Sequence, residues 1–235
     1  MLLLLMKQLH YMGLMQNEVK GNLGLGEVEK YDRDGNSDSA FQNDALITEA
    51  YLKYSHDAFF VSVGRQAIDL EWLSDYNEAA VVGITAIPDT VVVVGWTKRK
   101  SESGIDVSED FHDINGSKGV YVADVKYTGL KSVEFNPYAY SAPDLANWYG
   151  LKSTFTADYF GIIAHYAASN EELTADGSIG HLELNTTIKD FKAAVGHIKT
   201  DKTVGAGSMI KANTGDNISP LDTGNQVYEP DAKTT

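Results

Sequence analysis

Cysteine is absent from this 235-residue chain, which removes disulfides, thiolate chemistry and Cys-ligated metals at once. Long apolar runs are missing too, since no segment nears the roughly 20 uninterrupted apolar residues of a membrane-crossing helix. In the opening "MLLLLMKQLHYMGLM" the first Lys follows the apolar run from Met1 to Met6, so this stretch does not read as an intact secretory signal. Basic residues are few: 19 Lys and Arg against 33 Asp and Glu give a formal charge of −14, which repels phosphate backbones and argues against nucleic acid as a partner. Catalytic signatures are lacking as well. There is no G-x-S-x-G, no H-E-x-x-H and no phosphate-cradling loop. "GNLGLGE" has no strand and helix around it, and His10, His56, His112, His165, His181 and His197 are scattered, so the chain does not read as an enzyme. Proline is scarce, at 5 residues, whereas 21 Gly and 13 Tyr favour strands and turns.

What the chain has is alternation. From Leu46 to Tyr54 one parity is Leu46, Thr48, Ala50, Leu52 and Tyr54, and the other carries Glu49, Tyr51 and Lys53. From Tyr121 to Tyr127, Tyr121, Ala123, Val125 and Tyr127 oppose Val122, Asp124 and Lys126. Further along, Phe160, Ile162, Ala164, Tyr166 and Ala168 oppose a parity holding His165, and Leu182, Leu184, Thr186 and Ile188 oppose Glu183 and Asn185. A period of two is the mark of a strand between two different environments. Ten such runs are expected, near 46–54, 58–66, 77–86, 90–99, 119–127, 131–140, 147–155, 159–168, 180–188 and 191–199.

The links between the runs alternate in length. Short ones fall at 55–57, 87–89, 128–130, 156–158 and 189–190, and longer polar ones at 67–76, 100–118, 141–146, 169–179 and 200–225. Antiparallel hairpins in this rhythm gather tight turns at one end and long loops at the other, as outer-membrane barrels do. Tyr54, Trp96, Tyr121, Tyr127, Tyr138, Tyr140, Trp148, Tyr149 and Tyr166 near strand ends suit interfacial girdles. The expected fold is therefore all-β, an antiparallel up-and-down transmembrane barrel of porin type with about 10–12 strands in this chain. Its single domain spans 1–235, with a long N-terminal loop at 16–45 and another at 200–225. The alternative is a soluble or surface-exposed β-sandwich that binds or adheres, burying the same apolar parity against a second sheet.

In a barrel the polar parity faces water. Glu49, Tyr51, Lys53 and Glu78 are then candidate pore-lining residues, with Asp124, Lys126, Lys152, His165 and Glu183. The acidic excess favours cations, although much of it lies in loops, where salt screens it within about 8 Å. "YDRDGNSD" sets Asp32, Asp34, Asn36 and Asp38 at alternate positions, a candidate Ca²⁺ loop and the sequence's one cofactor suggestion. The EF-hand pattern is not met, because Gly35 stands fourth and Asn43 twelfth, and a plain acidic turn explains it as well.

Several stretches together carry a family likeness: "EAYLKY", "VSVGRQAIDL", "NEAAVVGITAIPDTVVVVGW" and, near the end, "GAGSMIKANTGDNISPLDTGNQVYEPDAKTT". From about Gly21 onward the chain resembles the Opr-type (OprD-like) outer-membrane porins, which include bacterial major outer membrane proteins. The resemblance implies a passive diffusion channel for small hydrophilic solutes and ions, a homotrimer, and lipid of the Gram-negative outer membrane as surroundings. It also implies further strands, so the chain is expected to be part of a larger barrel of about 18 strands. Arg65 matches the family's "GRQ" and is a candidate pore-lining residue, but it shares the parity of Phe59, Val61 and Val63, and the competing reading pairs it with Asp69 or Glu71 at an interface.

Overall fold

The structure, a computed structural model, describes residues 47–101, 110–208 and 229–234. The notebook-length alternation becomes ten long strands: β1 (Ala50–His56), β2 (Phe59–Ala67), β3 (Tyr76–Ile84), β4 (Thr90–Ser101), β6 (Val120–Leu130), β7 (Val133–Ala142), β8 (Ala146–Thr156), β9 (Phe160–Glu171), β10 (Ser178–Ile188) and β11 (Phe191–Thr200).

Results

Sequence analysis

Cysteine is absent from this 235-residue chain, which removes disulfides, thiolate chemistry and Cys-ligated metals at once. Long apolar runs are missing too, since no segment nears the roughly 20 uninterrupted apolar residues of a membrane-crossing helix. In the opening "MLLLLMKQLHYMGLM" the first Lys follows the apolar run from Met1 to Met6, so this stretch does not read as an intact secretory signal. Basic residues are few: 19 Lys and Arg against 33 Asp and Glu give a formal charge of −14, which repels phosphate backbones and argues against nucleic acid as a partner. Catalytic signatures are lacking as well. There is no G-x-S-x-G, no H-E-x-x-H and no phosphate-cradling loop. "GNLGLGE" has no strand and helix around it, and His10, His56, His112, His165, His181 and His197 are scattered, so the chain does not read as an enzyme. Proline is scarce, at 5 residues, whereas 21 Gly and 13 Tyr favour strands and turns.

What the chain has is alternation. From Leu46 to Tyr54 one parity is Leu46, Thr48, Ala50, Leu52 and Tyr54, and the other carries Glu49, Tyr51 and Lys53. From Tyr121 to Tyr127, Tyr121, Ala123, Val125 and Tyr127 oppose Val122, Asp124 and Lys126. Further along, Phe160, Ile162, Ala164, Tyr166 and Ala168 oppose a parity holding His165, and Leu182, Leu184, Thr186 and Ile188 oppose Glu183 and Asn185. A period of two is the mark of a strand between two different environments. About ten such runs are expected, near 46–54, 58–66, 77–86, 90–99, 119–127, 131–140, 147–155, 159–168, 180–188 and 191–199.

The links between the runs alternate in length. Short ones fall at 55–57, 87–89, 128–130, 156–158 and 189–190, and longer polar ones at 67–76, 100–118, 141–146, 169–179 and 200–225. Antiparallel hairpins in this rhythm gather tight turns at one end and long loops at the other, as outer-membrane barrels do. Tyr54, Trp96, Tyr121, Tyr127, Tyr138, Tyr140, Trp148, Tyr149 and Tyr166 near strand ends suit interfacial girdles. The expected fold is therefore all-β, an antiparallel up-and-down transmembrane β-barrel of porin type with about 10–12 strands in this chain. Its single domain spans 1–235, with a long N-terminal loop at 16–45 and another long loop at 200–225. The alternative is a soluble or surface-exposed β-sandwich that binds or adheres, burying the same apolar parity against a second sheet.

In a barrel the polar parity faces water. Glu49, Tyr51, Lys53 and Glu78 are then candidate pore-lining residues, with Asp124, Lys126, Lys152, His165 and Glu183. The acidic excess favours cations, although much of it lies in loops, where salt screens it within about 8 Å. "YDRDGNSD" sets Asp32, Asp34, Asn36 and Asp38 at alternate positions, a candidate Ca²⁺ loop and the sequence's one cofactor suggestion. The EF-hand pattern is not met, because Gly35 stands where no Gly is required and Asn43 where a Glu is, so a plain acidic turn competes with it.

Several stretches together carry a family likeness: "EAYLKY", "VSVGRQAIDL", "NEAAVVGITAIPDTVVVVGW" and, near the end, "GAGSMIKANTGDNISPLDTGNQVYEPDAKTT". From about Gly21 onward the chain resembles the Opr-type (OprD-like) outer-membrane porins, which include bacterial major outer membrane proteins. The resemblance implies a passive diffusion channel for small hydrophilic solutes and ions, a homotrimer, and lipid of the Gram-negative outer membrane as surroundings. It also implies further strands, so the chain is expected to be an incomplete part of a larger barrel of about 18 strands. Arg65 matches the family's "GRQ" and is a candidate pore-lining residue. It shares the parity of Phe59, Val61 and Val63, however, and the competing reading pairs it with Asp69 or Glu71 at an interface.

Overall fold

The structure, a computed structural model, describes residues 47–101, 110–208 and 229–234. The chain runs β1 (Ala50–His56), β2 (Phe59–Ala67), β3 (Tyr76–Ile84), β4 (Thr90–Ser101), β5 (His112–Asp113) and β6 (Val120–Leu130). It continues through β7 (Val133–Ala142), β8 (Ala146–Thr156), β9 (Phe160–Glu171), β10 (Ser178–Ile188), β11 (Phe191–Thr200) and β12 (Lys233–Thr234). Every pairing is antiparallel, and the order β1-β2-β3-β4-β6-β7-β8-β9-β10-β11-β12 is sequence order, with the short β5 extending the edge of β4 beside β6. This is one continuous meander in a single layer, so the two-sheet sandwich is not the fold. Among the described residues nothing pairs with the free side of β1, and β11 is paired on its far side only at Ile198 and Lys199, so the sheet is not closed.

Tight turns cluster at one end. Asp57-Ala58, 85–89, Lys131-Ser132, 157–159 and Lys189-Asp190 join successive hairpins there. Asp89, Ser132 and Lys189 take up the left-handed backbone these reversals need, with φ of 54°, 66° and 55°. Two expected boundaries move. Residues 128–130 belong to β6, because backbone pairing persists to Leu130↔Val133 across a register shift. The link at 141–146 shrinks to 143–145, since Ala142 and Ala146 pair with each other. The other end carries the longer connections at 68–75, 102–119, 172–177 and beyond Thr200.

Register divides the sheet into two faces. Leu52 pairs with Val63 and Val63 with Ala80; Val61 pairs with Val82, and Val82 with Val94. Leu151 pairs with Tyr166, and Ile162 with Leu184. These residues, with Val125, lie on one outward face, and Leu52, Leu151, Ile162 and Leu184 are exposed there. Two aromatic levels bound this band. Trp96, Tyr121, Tyr149 and Tyr166 stand towards the long connections, and Phe59, Tyr127, Phe135, Phe155 and Phe160 towards the tight turns. Apolar side chains turned outward between aromatic girdles are what a hydrocarbon slab selects. Tyr138, Tyr140 and Trp148 are not part of a girdle; they point inward and are buried.

The inward face is not uniformly wet. Near the long connections it holds a dry cluster of Val120, Val122, Tyr140, Trp148, Ala167 and Ile179, over which Trp72, Leu73 and Ile114 pack from the loops. Alternation therefore separates inside from outside here, but the inside is itself divided along its length.

Candidate lumen site

The segment 68–75, between β2 and β3, leaves the strand edge and folds across the inward face of β7, β8 and β9. Its backbone makes a small turn, with Leu70 and Leu73 exchanging amide bonds at 2.8 and 3.3 Å and Ile68 N–H donating to Asp75 O at 2.9 Å. Asp75 takes a positive φ of 61° where the chain re-enters β3. The turn presents Glu71 and Trp72 to the far wall.

Trp72 anchors it. The indole Nε1–H donates to the Tyr138 hydroxyl at 2.6 Å, and the Trp72 amide donates to the Tyr140 hydroxyl at 3.4 Å. An indole only donates, so Tyr138 accepts, and its own proton is left for His165 Nε2 at 2.7 Å. That network assigns the remaining His165 proton to Nδ1, which faces Glu71 Oε2 at 3.8 Å. Tyr140 donates in turn to Asp124 Oδ2 at 3.4 Å, and Asn136 donates to Asp124 Oδ1 at 2.7 Å. Gly150 makes room for this arrangement: a Cβ there would lie 2.3 Å from the Tyr138 hydroxyl and 2.5 Å from Tyr166 O.

Glu71 is the charged contact of the turn. Lys152 Nζ donates to its Oε1 at 2.6 Å. Burial pushes the Glu71 carboxyl up from the usual range, while the Lys152 ammonium pulls against that shift.

Cross-strand register sets the polar rows below the dry cluster. Asn136 pairs with Lys152, Lys152 with His165, and His165 with His181, so one row crosses β7 to β10. One step nearer the tight turns, Glu134 pairs with Thr154, Thr154 with Ile163, and Ile163 with Glu183. Lys126 Nζ meets Glu134 at 3.3 Å. Glu183 stands 3.8 Å from His181 and accepts from Asn185 Nδ2 at 3.0 Å. On the first strands, Glu49, Tyr51 and Lys53 border an inward cavity of about 300 Å³ with Phe60, Ser62 and Gln66, and the Lys53 ammonium sits 4.7 Å from the Phe60 ring centre.

The sequence candidates thus separate. Asp124, Lys152 and His165 meet around the docked turn, with Lys126 and Glu183 in neighbouring rows and Glu49, Tyr51 and Lys53 on the adjoining wall. Arg65 and Glu78 do not join them. Their register, Ala50↔Arg65↔Glu78↔Arg99, follows the outward parity, near the long connections. Arg65 Nε meets Glu78 at 2.9 Å, not Asp69 or Glu71, and its guanidinium stacks 4.3 Å from the Phe111 ring centre. Glu78 also binds Arg99 at 3.3 Å, which donates to Phe111 O. Strand parity already placed Arg65 with Val61 and Val63, and that signal was the right one. Trp72, Tyr138, Tyr140 and Asn136 went unnoticed as site residues, because nothing local marks an aromatic as a dock for a loop from elsewhere. The calcium candidates Asp32, Asp34, Asn36 and Asp38 lie outside the described residues, as does the loop at 16–45.

A meander of this geometry matches solved outer-membrane channels. The outer membrane protein OpdK of Pseudomonas aeruginosa superposes with a TM-score of 0.66 at 13% identity, over 78% of this chain and 55% of that one. OpdQ of the same organism gives 0.61 at 11% identity, over 78% and 56%. OccAB4 of Acinetobacter baumannii gives 0.58 at 17% identity, over 78% and 52%. The fold is that of an OprD-type outer-membrane porin barrel. No protein-family profile and no curated relative matches the chain. The chain spans just over half the length of these porin structures, which accords with an unclosed sheet, a part of such a barrel.

Proposed function

We propose that this chain forms part of the wall and the constriction of an outer-membrane porin, through which small hydrophilic solutes and ions diffuse passively. The observation that carries the reading is the turn at 68–75, pinned across the inward face by Trp72–Tyr138 and Glu71–Lys152. A loop folded into a barrel narrows it without any chemistry, and charges at the narrowing bias what passes. Glu49, Tyr51, Lys53, Asp124, Lys126, Lys152, His165 and Glu183 line this path. The outward pair Arg65–Glu78 braces the wall instead. Outer-membrane lipid surrounds the apolar band, and the protein assembles as a homotrimer, as the porin resemblance implies; catalysis has no part in this reading.

The constriction prefers cations. Lys126 is matched by Glu134 and Lys152 by Glu71, whereas Asp124 and Glu183 meet only neutral donors or a histidine among the described residues. Planar-bilayer recording of the complete refolded protein tests both statements. Discrete conductance with a cation-selective reversal potential is expected, and Glu183→Gln should shift that potential towards zero. An absence of channels, in a protein folded by circular dichroism, overturns the porin reading.

A further inference from the structure

On the outward face of β8 to β11 the apolar band is not flush. A groove of about 560 Å³ runs over Gly180 and Ala164, between Leu151, Tyr166 and Leu182, and ends at Lys199. The register explains the gap. Leu151, Tyr166, Gly180 and Lys199 are successive cross-strand partners, and Gly180 contributes no side chain to that row. A Cβ at Gly180 would find only Tyr166 Cδ2, at 3.9 Å, so the space above it is open. Its volume lies within the roughly 300–1,000 Å³ typical of ligand sites.

The charge at its end has one sign. Lys199 pairs in register with Lys233, and both are exposed towards the long connections. Lys233 meets Asp231 at 3.2 Å, whereas Lys199 is in no ion pair among the described residues. Tyr166 and Tyr149 mark this level as the boundary between hydrocarbon and headgroups, the usual seat of amphipathic aromatics. In outer-membrane barrels the long-loop end faces outward from the cell. An ammonium at headgroup depth above an apolar trough is complementary to an anionic head carrying acyl chains.

We propose that this groove seats a phosphorylated glycolipid of the outer leaflet. Its phosphate meets Lys199 and the Tyr166 hydroxyl, and one acyl chain lies over Gly180 and Ala164 beside Leu182. The inference rests on the membrane-barrel reading given above.

Bisphosphorylated lipid A is the probe, with phosphatidylglycerol as comparison. The complete protein is refolded into vesicles holding both lipids, extracted in mild detergent, and its retained lipid identified by native mass spectrometry. Retention of lipid A over phosphatidylglycerol is expected. Lys199→Gln should weaken it roughly tenfold, the size of one lost charge-assisted bond. Gly180→Leu should abolish it by filling the trough, and the space at Gly180 lets that variant fold. Equal retention of the two lipids, or retention unchanged in both variants, overturns the inference while leaving the barrel intact. Failure of the wild-type protein to enter vesicles at all, read by flotation, overturns the membrane reading and this inference with it.

Discussion

Tyr138 is the residue on which the docked turn depends. Its hydroxyl accepts from Trp72 and reaches His165, so Tyr138→Phe leaves two polar atoms without that partner in a buried setting. The expected cost to loop docking is about 1–3 kcal/mol. Gly150→Val should do as much from the opposite side, because its side chain would occupy the place of the Tyr138 ring. Noisier, larger single-channel currents in both variants, with circular dichroism unchanged, are the expected readout; quiet wild-type currents in both would deny Tyr138 that role. Neither residue could be singled out from its neighbours in the sequence. "NPYAYSA" reads as a strand with aromatics, and only the register of β7 and β8 reveals that Tyr138 and Gly150 face each other inside.

At the scale of the element, the strands were legible and the loop was not. Period-two alternation depends on local contrast between two sides, and each long strand carries that contrast within itself. The turn at 68–75 is governed by partners on β7, β8 and β9, far along the chain, so "IDLEWLSD" looks like any polar connection with some apolar residues. The trimmed link at 143–145 was hidden for a similar reason: Ala142 and Ala146 are too bland to announce that they pair. The loop's behaviour with pH follows from Glu71. Its carboxyl is held above the usual range by burial, so the docked state takes up a proton more readily than the free loop. That contribution to docking is complete below the ordinary glutamate value, about 4.3, and is lost as pH rises through the raised one. Hydrogen exchange at 68–75 should therefore quicken with pH beyond its intrinsic dependence, and Glu71→Gln should remove the excess.

For the whole molecule, the deciding quantity is where the apolar band is spent. Leu52, Leu151, Ile162 and Leu184 are exposed along a continuous outward surface, and no second layer covers it. Leu151→Arg should cost about 2–4 kcal/mol in a bilayer if it lies near the midplane, measured by urea unfolding in vesicles. An insensitive Leu151 would mean that lipid does not touch this face. The sequence order of the pairing has a mechanical consequence as well. Each long strand leans only on its immediate predecessor and successor. Tension applied at either terminus would peel the sheet away one hairpin at a time, in steps set by strand length, and every step would expose a fresh margin resembling the last.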